Sequence, residues 1–283
     1  MARFVETLYD AYGQEFEIDE VYFEHKTDHQ HLMIFHNPVF GRVMVLDGVV
    51  QTTERDEFIY HEMLAHVAIQ AHGRVDSLLV VGGGDGGIIR EITRHRRIRK
   101  FTQVEIDRTV IEMSRAHLPE HSAGAFDDPR LEIVIDDGLE FLSAAGESYD
   151  VIICDSTDPI GPGESLFSGE FYAAVRGRLK PGGVFVAQNG VPFHQLDELR
   201  ATHHHLRGLF ADASFYAAAV PSYIGGVMAF AWATDDPALR AVGEQTLDAR
   251  YSDAGLACRY YNPAIHRAAF ALPEYLVQAI RDA

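Results

Sequence analysis

Cysteine is scarce in this chain: its 283 residues hold two, Cys154 and Cys258, far apart in the sequence. They make neither a disulfide framework nor a zinc-binding spacing, and both are expected to stay reduced. No apolar run approaches the roughly 18 residues that a membrane-spanning helix needs, so none is expected. The opening MARFVETLYDAYG carries acidic residues early and has no apolar core of signal-peptide length, which makes a cytoplasmic protein the expectation. Basic residues are also short, with 24 Lys and Arg against 42 Asp and Glu and a net charge of −18. Nucleic acid and anionic membrane surfaces require clustered Lys and Arg, so neither is expected as a partner. A cationic substrate would be attracted, although an acidic balance also serves simply to keep a surface soluble. Fixed-period repeats and low-complexity linkers are absent, and an apolar fraction of 47% with 23% charged residues is that of an ordinary globular chain.

What is present is a change of texture near residue 55. From Glu17 to Thr53 the segments VYFEHKT, HLMIFHN, GRVMVLD and GVVQTTE read as four short strands, with turns at Asn37-Pro38 and Asp47-Gly48. EFIYHEMLAHVAIQAHG then reads as a helix stopped by Gly73. Beyond it strands and helices alternate: SLLVVGGG, FTQVEID, RLEIVIDDG, YDVIICD and VFVAQNG are apolar strands, the last entered through a Pro181-Gly182-Gly183 turn. ADASFYAAAV and GGVMAFAWAT add an antiparallel hairpin at one edge. The expectation is an α/β fold: a doubly wound, mostly parallel seven-stranded sheet of Rossmann-like type over residues 56–283, preceded by a small antiparallel β domain over residues 1–55. In such sheets the ligand crevice lies beyond the carboxyl ends of the strands.

Several candidate residues stand at those strand ends. Gly82-Gly83-Gly84-Asp85-Gly86-Gly87 satisfies G-x-G-x-x-G between a strand and a helix. Asp85 speaks against a pyrophosphate there, because a carboxylate in the turn repels phosphate and attracts a cation. Glu105 ends the next strand about 20 residues on, where an acid accepts hydrogen bonds from ribose hydroxyls. Asp107 reads as a helix cap. Asp136-Asp137-Gly138 ends the third strand, where an aspartate either accepts from an adenine amino group or merely caps the following helix. Together these ends outline an adenosine pocket without a phosphate site, the profile of a ligand like S-adenosylmethionine. The fourth strand leads into Asp155-Ser156-Thr157-Asp158 on a loop stiffened by Pro159 and Pro162.

The set GGGDGG, VEID, IDDG, DSTDPIGP and ESLF, with DGVVQTTERDEFIYHEM near the front and YYNPAIHRAAFALP near the end, resembles the spermidine synthase family, the putrescine aminopropyltransferases. The likeness runs from Glu6 to Ile280. It implies transfer of an aminopropyl group from decarboxylated S-adenosylmethionine, a co-substrate, to putrescine, with no metal or other cofactor, in a homodimer built partly through the N-terminal β unit. It further implies that Asp155 accepts the proton and that Tyr60 holds the attacking nitrogen. Asp85 would meet the donor's ammonium, with His61, Ser156, Thr157, Asp158 and Tyr223 lining the diamine slot. The nucleoside would lie against Gln30, Gly82, Gly84, Glu105, Asp137, Gly138 and Pro162.

Plainer readings compete at some of these positions. His61, Glu62 and His66 miss the H-E-x-x-H zinc motif because the two histidines are five apart, and His61 could be a surface helix residue. Gln30 on its own reads as an exposed strand residue. His203-His204-His205 point in different directions on a helix and read as solvated. Cys154 reads as strand-end packing. A methyltransferase shares the glycine turn and ribose acid but does not require Asp85 with the Asp155/Asp158 pair. A non-catalytic nucleoside-binding subunit would have been free to lose Asp155.

Overall fold

The computed structural model describes residues 2–283, the side chain of Pro162 excepted. Strands β1 (Ala2–Val5) and β2 (Glu15–Ile18) form an antiparallel hairpin. A second antiparallel sheet runs in sequence order through β3 (Glu20–Lys26), β4 (His31–Asn37), β5 (Gly41–Leu46) and β6 (Val49–Thr53). Strand alternation sends Leu32, Ile34, Met44 and Leu46 to one face of this sheet and Phe35, Val43 and Val45 to the other. The second face is closed by Phe16 of the hairpin. The hairpin was not expected from the sequence, because its first strand is short and mostly exposed and shows no buried alternation.

Helix α1 (Glu57–His72) leads into the main sheet and ends where Gly73, at φ +75°, returns its N–H to Ile69 O. The sheet contains β7 (Ser77–Gly82), β8 (Lys100–Glu105), β9 (Leu131–Ile135), β10 (Tyr149–Asp155), β11 (Leu179–Gln188), β12 (Asp212–Ala219) and β13 (Val227–Thr234). Their spatial order is β12-β13-β11-β10-β7-β8-β9, parallel from β11 to β9 and antiparallel at β13 and β12. The intervening helices are α2 (Gly87–Thr93), α3 (Arg108–His117), α4 (Pro119–Ser122), α5 (Gly138–Ser143), α6 (Gly169–Arg178) and α7 (Leu196–Arg207). Three more close the chain: α8 (Glu244–Ala254), α9 (Pro263–Ala269) and α10 (Glu274–Asp282). The seven-stranded, mostly parallel architecture with a preceding antiparallel sheet is the one expected.

Apolar side chains of α1 and α2, with Trp232 and Tyr261, fill one face of the sheet, and Phe171, Leu199 and Leu276 fill the other. Burial on both faces is why the central strands are unbroken apolar runs. The N-terminal sheet docks on the main body through Val110 and Leu118, which pack against Leu32 and Met44. Two local expectations change. The Pro181–Gly183 turn lies inside β11 as an irregularity, since pairing with β10 jumps from Tyr149↔Leu179 to Val151↔Val184. His203 is buried near Phe215 and is not solvated, whereas His204 is exposed; α7 turns one of its three histidines toward the sheet.

The chain leaves β7 for β8 on one side, while β10 lies on the other, so the order reverses between β7 and β10. A crevice opens there. Gly82, at φ +85°, makes that junction possible: a Cβ on it would lie 2.0 Å from the Asp155 carbonyl oxygen. Gly82→Ala is therefore expected to lower stability by about 2 kcal/mol, through left-handed backbone strain and displacement of β10. An unchanged urea midpoint would refute this account of the junction.

Candidate active site

One crevice at the switch point gathers the proposed residues whose side chains are described. It is lined by Gln30, Tyr60, His61, Gly82, Gly84, Asp85, Glu105, Asp137, Gly138, Tyr223 and the run Asp155 to Asp158. The side chain of Pro162 lies outside the described residues. Each lining group is delivered by an element end. The glycine turn after β7 carries Asp85, β8 ends at Glu105, Asp137 caps α5, and β10 ends at Asp155. Helix α1 crosses behind them and supplies Tyr60 and His61.

At the nucleoside end, Glu105 is buried and accepts the Asp107 N–H at 3.0 Å. Burial pushes its carboxyl up to about 7. Gly84 packs so closely that a Cβ would sit 2.9 Å from Glu105 Oε2. Asp137 caps α5, accepting the N–H groups of Leu139 at 2.8 Å and Glu140 at 3.0 Å, while it also borders the crevice. The capping reading of Asp137 therefore holds, and capping does not remove the residue from the crevice wall. Gln30 is not an exposed strand residue: it lies in the turn before β4, is buried, and its Nε2 donates to Asp107 Oδ2 at 3.3 Å. Asp107 is the expected cap of α3 and accepts the Thr109 N–H.

At the other end the acids converge. One atom each from His61, Asp85 and Asp155 lies within 4.8 Å of the others. Tyr60 donates its hydroxyl to Asp155 Oδ1 at 2.6 Å, and the Gly87 N–H donates to Asp85 Oδ1 at 2.8 Å. His61 is 2% exposed, so the surface-helix reading fails. Its Nε2 is 3.1 Å from Asp85 Oδ2 and its Nδ1 is 2.6 Å from Glu57 Oε2. Burial opposes its charge, but these two carboxylates outweigh burial and push the imidazole up to about 10. Burial also opposes ionisation of Asp85, yet His61 beside it holds that carboxyl well below the usual range. Asp155 goes the other way, pushed up to about 6 by burial and by the Asp85 charge. The cluster has ligand types suited to a divalent cation, but a metal would first have to displace the proton from His61 Nε2. A compact cation such as an ammonium needs no such displacement.

Beyond Asp155 the slot continues along Asp158, whose Oδ1 accepts from Gln195 Nε2 at 2.6 Å. Burial raises the carboxyl of Asp158, and burial with the Asp158 charge pushes Glu198 up to about 7. Gln188 Nε2 donates to the Thr157 carbonyl at 2.8 Å and holds the loop. Tyr223 stands edge-on to Tyr60 and donates to the Gln51 carbonyl at 2.6 Å, linking the main sheet to the N-terminal one. Glu6, Tyr9, Gln51, Gln188 and Gln195 also border the crevice and were not singled out in the sequence. Glu6, Tyr9, Gln51 and Gln195 have no spacing that marks them, whereas Gln188 ends β11, a position the strand-end rule reaches. His66, the other histidine of the broken zinc motif, faces away and contacts His95 and Glu91 at 2.9 Å each. Cys154 is buried with its thiol pushed up to about 12 by burial, which leaves it inert.

Comparison with known proteins places this geometry. Residues 57–242 match the Spermine/spermidine synthase domain family, and residues 4–54 match the Spermidine synthase tetramerisation domain family. The polyamine aminopropyltransferase of Salmonella arizonae is 58% identical over 275 residues, covering 97% of this chain and 96% of that protein. The Salmonella typhimurium protein of the same name is 57% identical over 275 residues with the same coverage of 97% and 96%. Among solved structures, a spermidine synthase in complex with the transition-state analogue AdoDATO superposes with a TM-score of 0.93 at 35% identity, covering 100% of this chain and 96% of that one. Spermidine synthase from Thermotoga maritima gives a TM-score of 0.93 at 34% identity, over 100% and 95% of the respective chains. A switch-point crevice with four strand-end acids on its wall, on a chain alike over nearly its whole length, makes this protein an enzyme of the spermine/spermidine synthase family, the polyamine aminopropyltransferases.

Proposed function

We propose that the enzyme moves the aminopropyl group of decarboxylated S-adenosylmethionine to putrescine, giving spermidine and methylthioadenosine, without metal or other cofactor. The observation that carries this reading is the close approach of Asp85, His61 and Asp155 at the carboxyl ends of β7 and β10. In this reading the adenosine lies along Gly82 and Gly84, the ribose hydroxyls meet Glu105, and the base sits near Asp137, Gly138, Pro162 and Gln30. The donor's tail ends in a bare ammonium, which Asp85 receives. Intact S-adenosylmethionine would bring its own carboxylate toward Asp85, a like-charge contact costing several kcal/mol in a partly buried site.

The diamine lies along Ser156, Thr157 and Asp158, with Tyr223 over it. Its attacking nitrogen must lose a proton before its lone pair displaces the sulfur. The nitrogen then bonds to the carbon beside the sulfonium, the carbon–sulfur bond breaks, and the electron pair leaves with the neutral thioether. An ammonium near 10 and a carboxylate near 4 are separated by about 6 units, or about 8 kcal/mol. Burial and Asp85 narrow that gap by raising Asp155 to about 6. Desolvation of the amine and the neighbouring sulfonium narrow it from the other side. Tyr60, fixed on Asp155, is placed to hold the nitrogen during transfer.

The assembly belongs to the same proposal: a homodimer built partly through the N-terminal sheets, which expose Val5, Val21 and Val39. A tetramer, as named in the N-terminal family description, would contain such dimers if its symmetry were dihedral. The free thiols of Cys154 and Cys258 fit the cytoplasm. Among the described residues no helix is long and apolar enough to cross a membrane.

Three outcomes are expected. Release of methylthioadenosine from decarboxylated S-adenosylmethionine and putrescine is the direct assay; with Asp155→Asn it should fall at least about 100-fold while methylthioadenosine binding persists, and retained turnover would remove Asp155 from its role. Asp85→Ala should erode the preference for the decarboxylated donor over S-adenosylmethionine, and a competition assay with unchanged preference would sink that assignment. Because the base must be ionised, activity should be lost as pH falls through about 6 and recover above it; a flat profile across that range would mean that Asp155 ionisation does not limit the rate.

A further inference from the structure

Two carboxylates as close as Asp85 and Asp155 cannot both serve as an ionised anchor and a proton acceptor unless something distinguishes them. The distinguishing group is His61, and its state follows from its partners. Both ring nitrogens face carboxylate oxygens, Nδ1 toward Glu57 Oε2 at 2.6 Å and Nε2 toward Asp85 Oδ2 at 3.1 Å. Ionised carboxylates only accept hydrogen bonds, so both nitrogens must carry hydrogen. The ring is seated tightly, for a Cβ on Gly87 would lie 2.1 Å from its Nδ1. Behind it Glu57 is clamped by Arg90, whose Nη1 and Nη2 donate at 3.1 and 2.8 Å. Arg90 in turn is anchored to the carbonyl of His121 at 2.8 Å and to Glu91 at 2.8 Å.

We propose that Glu57, clamped by Arg90, is a positioning residue: it holds His61 as an imidazolium against Asp85, and so leaves Asp155 as the carboxylate that takes the acceptor's proton. The inference rests on the aminopropyl-transfer reading for its consequence, but not for the state of His61. The charged and titratable groups around the ring are Glu57 and Tyr60 on α1, Asp85 after β7, Arg90 on α2, His121 on α4 and Asp155 at the end of β10. Of these, only Glu57 and Asp85 touch its nitrogens with acceptor oxygens. Neutralising Glu57 leaves Asp85 alone to hold the proton. A neutral His61 would no longer keep Asp85 ionised in preference to its neighbour, and the pair would bind a proton at higher pH, because loss of a nearby positive charge raises carboxylate affinity for protons.

The test has two arms. In Glu57→Gln the acid limb of the kcat–pH profile should move upward by about one pH unit. His61→Gln should move it at least as far, since Asp85 still holds part of the imidazolium in Glu57→Gln, and the double variant should move it no further than His61→Gln alone. An acid limb in Glu57→Gln that coincides with that of the unsubstituted enzyme, or shifts that add in the double variant, would overturn the proposal, since a merely structural role lowers the rate without moving the limb. The second arm uses the unsubstituted protein and no substrate. Nitrogen-15 NMR of the histidine rings should show His61 protonated on both nitrogens throughout pH 6 to about 9, and a bare ring nitrogen at pH 7 would overturn the proposal even if the variants fail to fold. Failure to release methylthioadenosine would refute the transfer reading and leave this second result standing.

Discussion

The structure turns on the proximity of Asp85 and Asp155. Like charges within 4.8 Å repel by about 3 kcal/mol at an effective dielectric near 20, too much to leave uncompensated in a half-buried crevice. The compensation comes from two helices. Helix α1 brings Tyr60 to one carboxylate and His61 to the other, and α2 supplies the Gly87 N–H to Asp85 and, through Arg90, the clamp on Glu57. The opposite displacements of Asp85 and Asp155 follow from that asymmetry, since only Asp85 has the imidazolium at hydrogen-bonding distance. A cationic ligand would complete the neutralisation.

The fold makes the proximity possible. Parallel strands β7 and β10 are neighbours at the point where strand order reverses, so their ends lie side by side although the residues they carry are 70 positions apart, from Asp85 to Asp155. Gly82 permits the approach because a side chain would collide with the backbone of Asp155. The N-terminal sheet then closes the crevice from outside: Gln30 reaches Asp107, and Tyr223 reaches the Gln51 carbonyl. Walling the site in this way lowers the local dielectric and so strengthens the electrostatics within it.

Much of this is legible in the amino-acid sequence. Asp85, Glu105, Asp137 and Asp155 each follow an apolar strand and precede a helix or loop, and the strand-end rule alone puts such residues at a ligand. Other features gave no signal. Tyr9 and Gln195 are single polar residues in unremarkable surroundings, and their place at the crevice depends on chain segments that meet only in three dimensions. His61 borders the crevice, and its two hydrogen bonds go to Glu57 and Asp85. An i, i+4 pair on a helix is visible in a sequence; that both ring nitrogens end on carboxylates is not. His203 is buried where the sequence suggests a solvated residue, because burial of one helix face depends on the partner sheet and its register.

Hydrophobic period and turn chemistry are local properties of the chain, so the order of amino acids is enough to give the architecture and to point out the strand-end acids. How those acids differ in proton affinity is set by the folded arrangement. Proton affinity depends on which charges and donors lie within a few ångströms, and for Asp85 and Asp155 these neighbours arrive from α1, α2 and each other, segments that the sequence keeps apart.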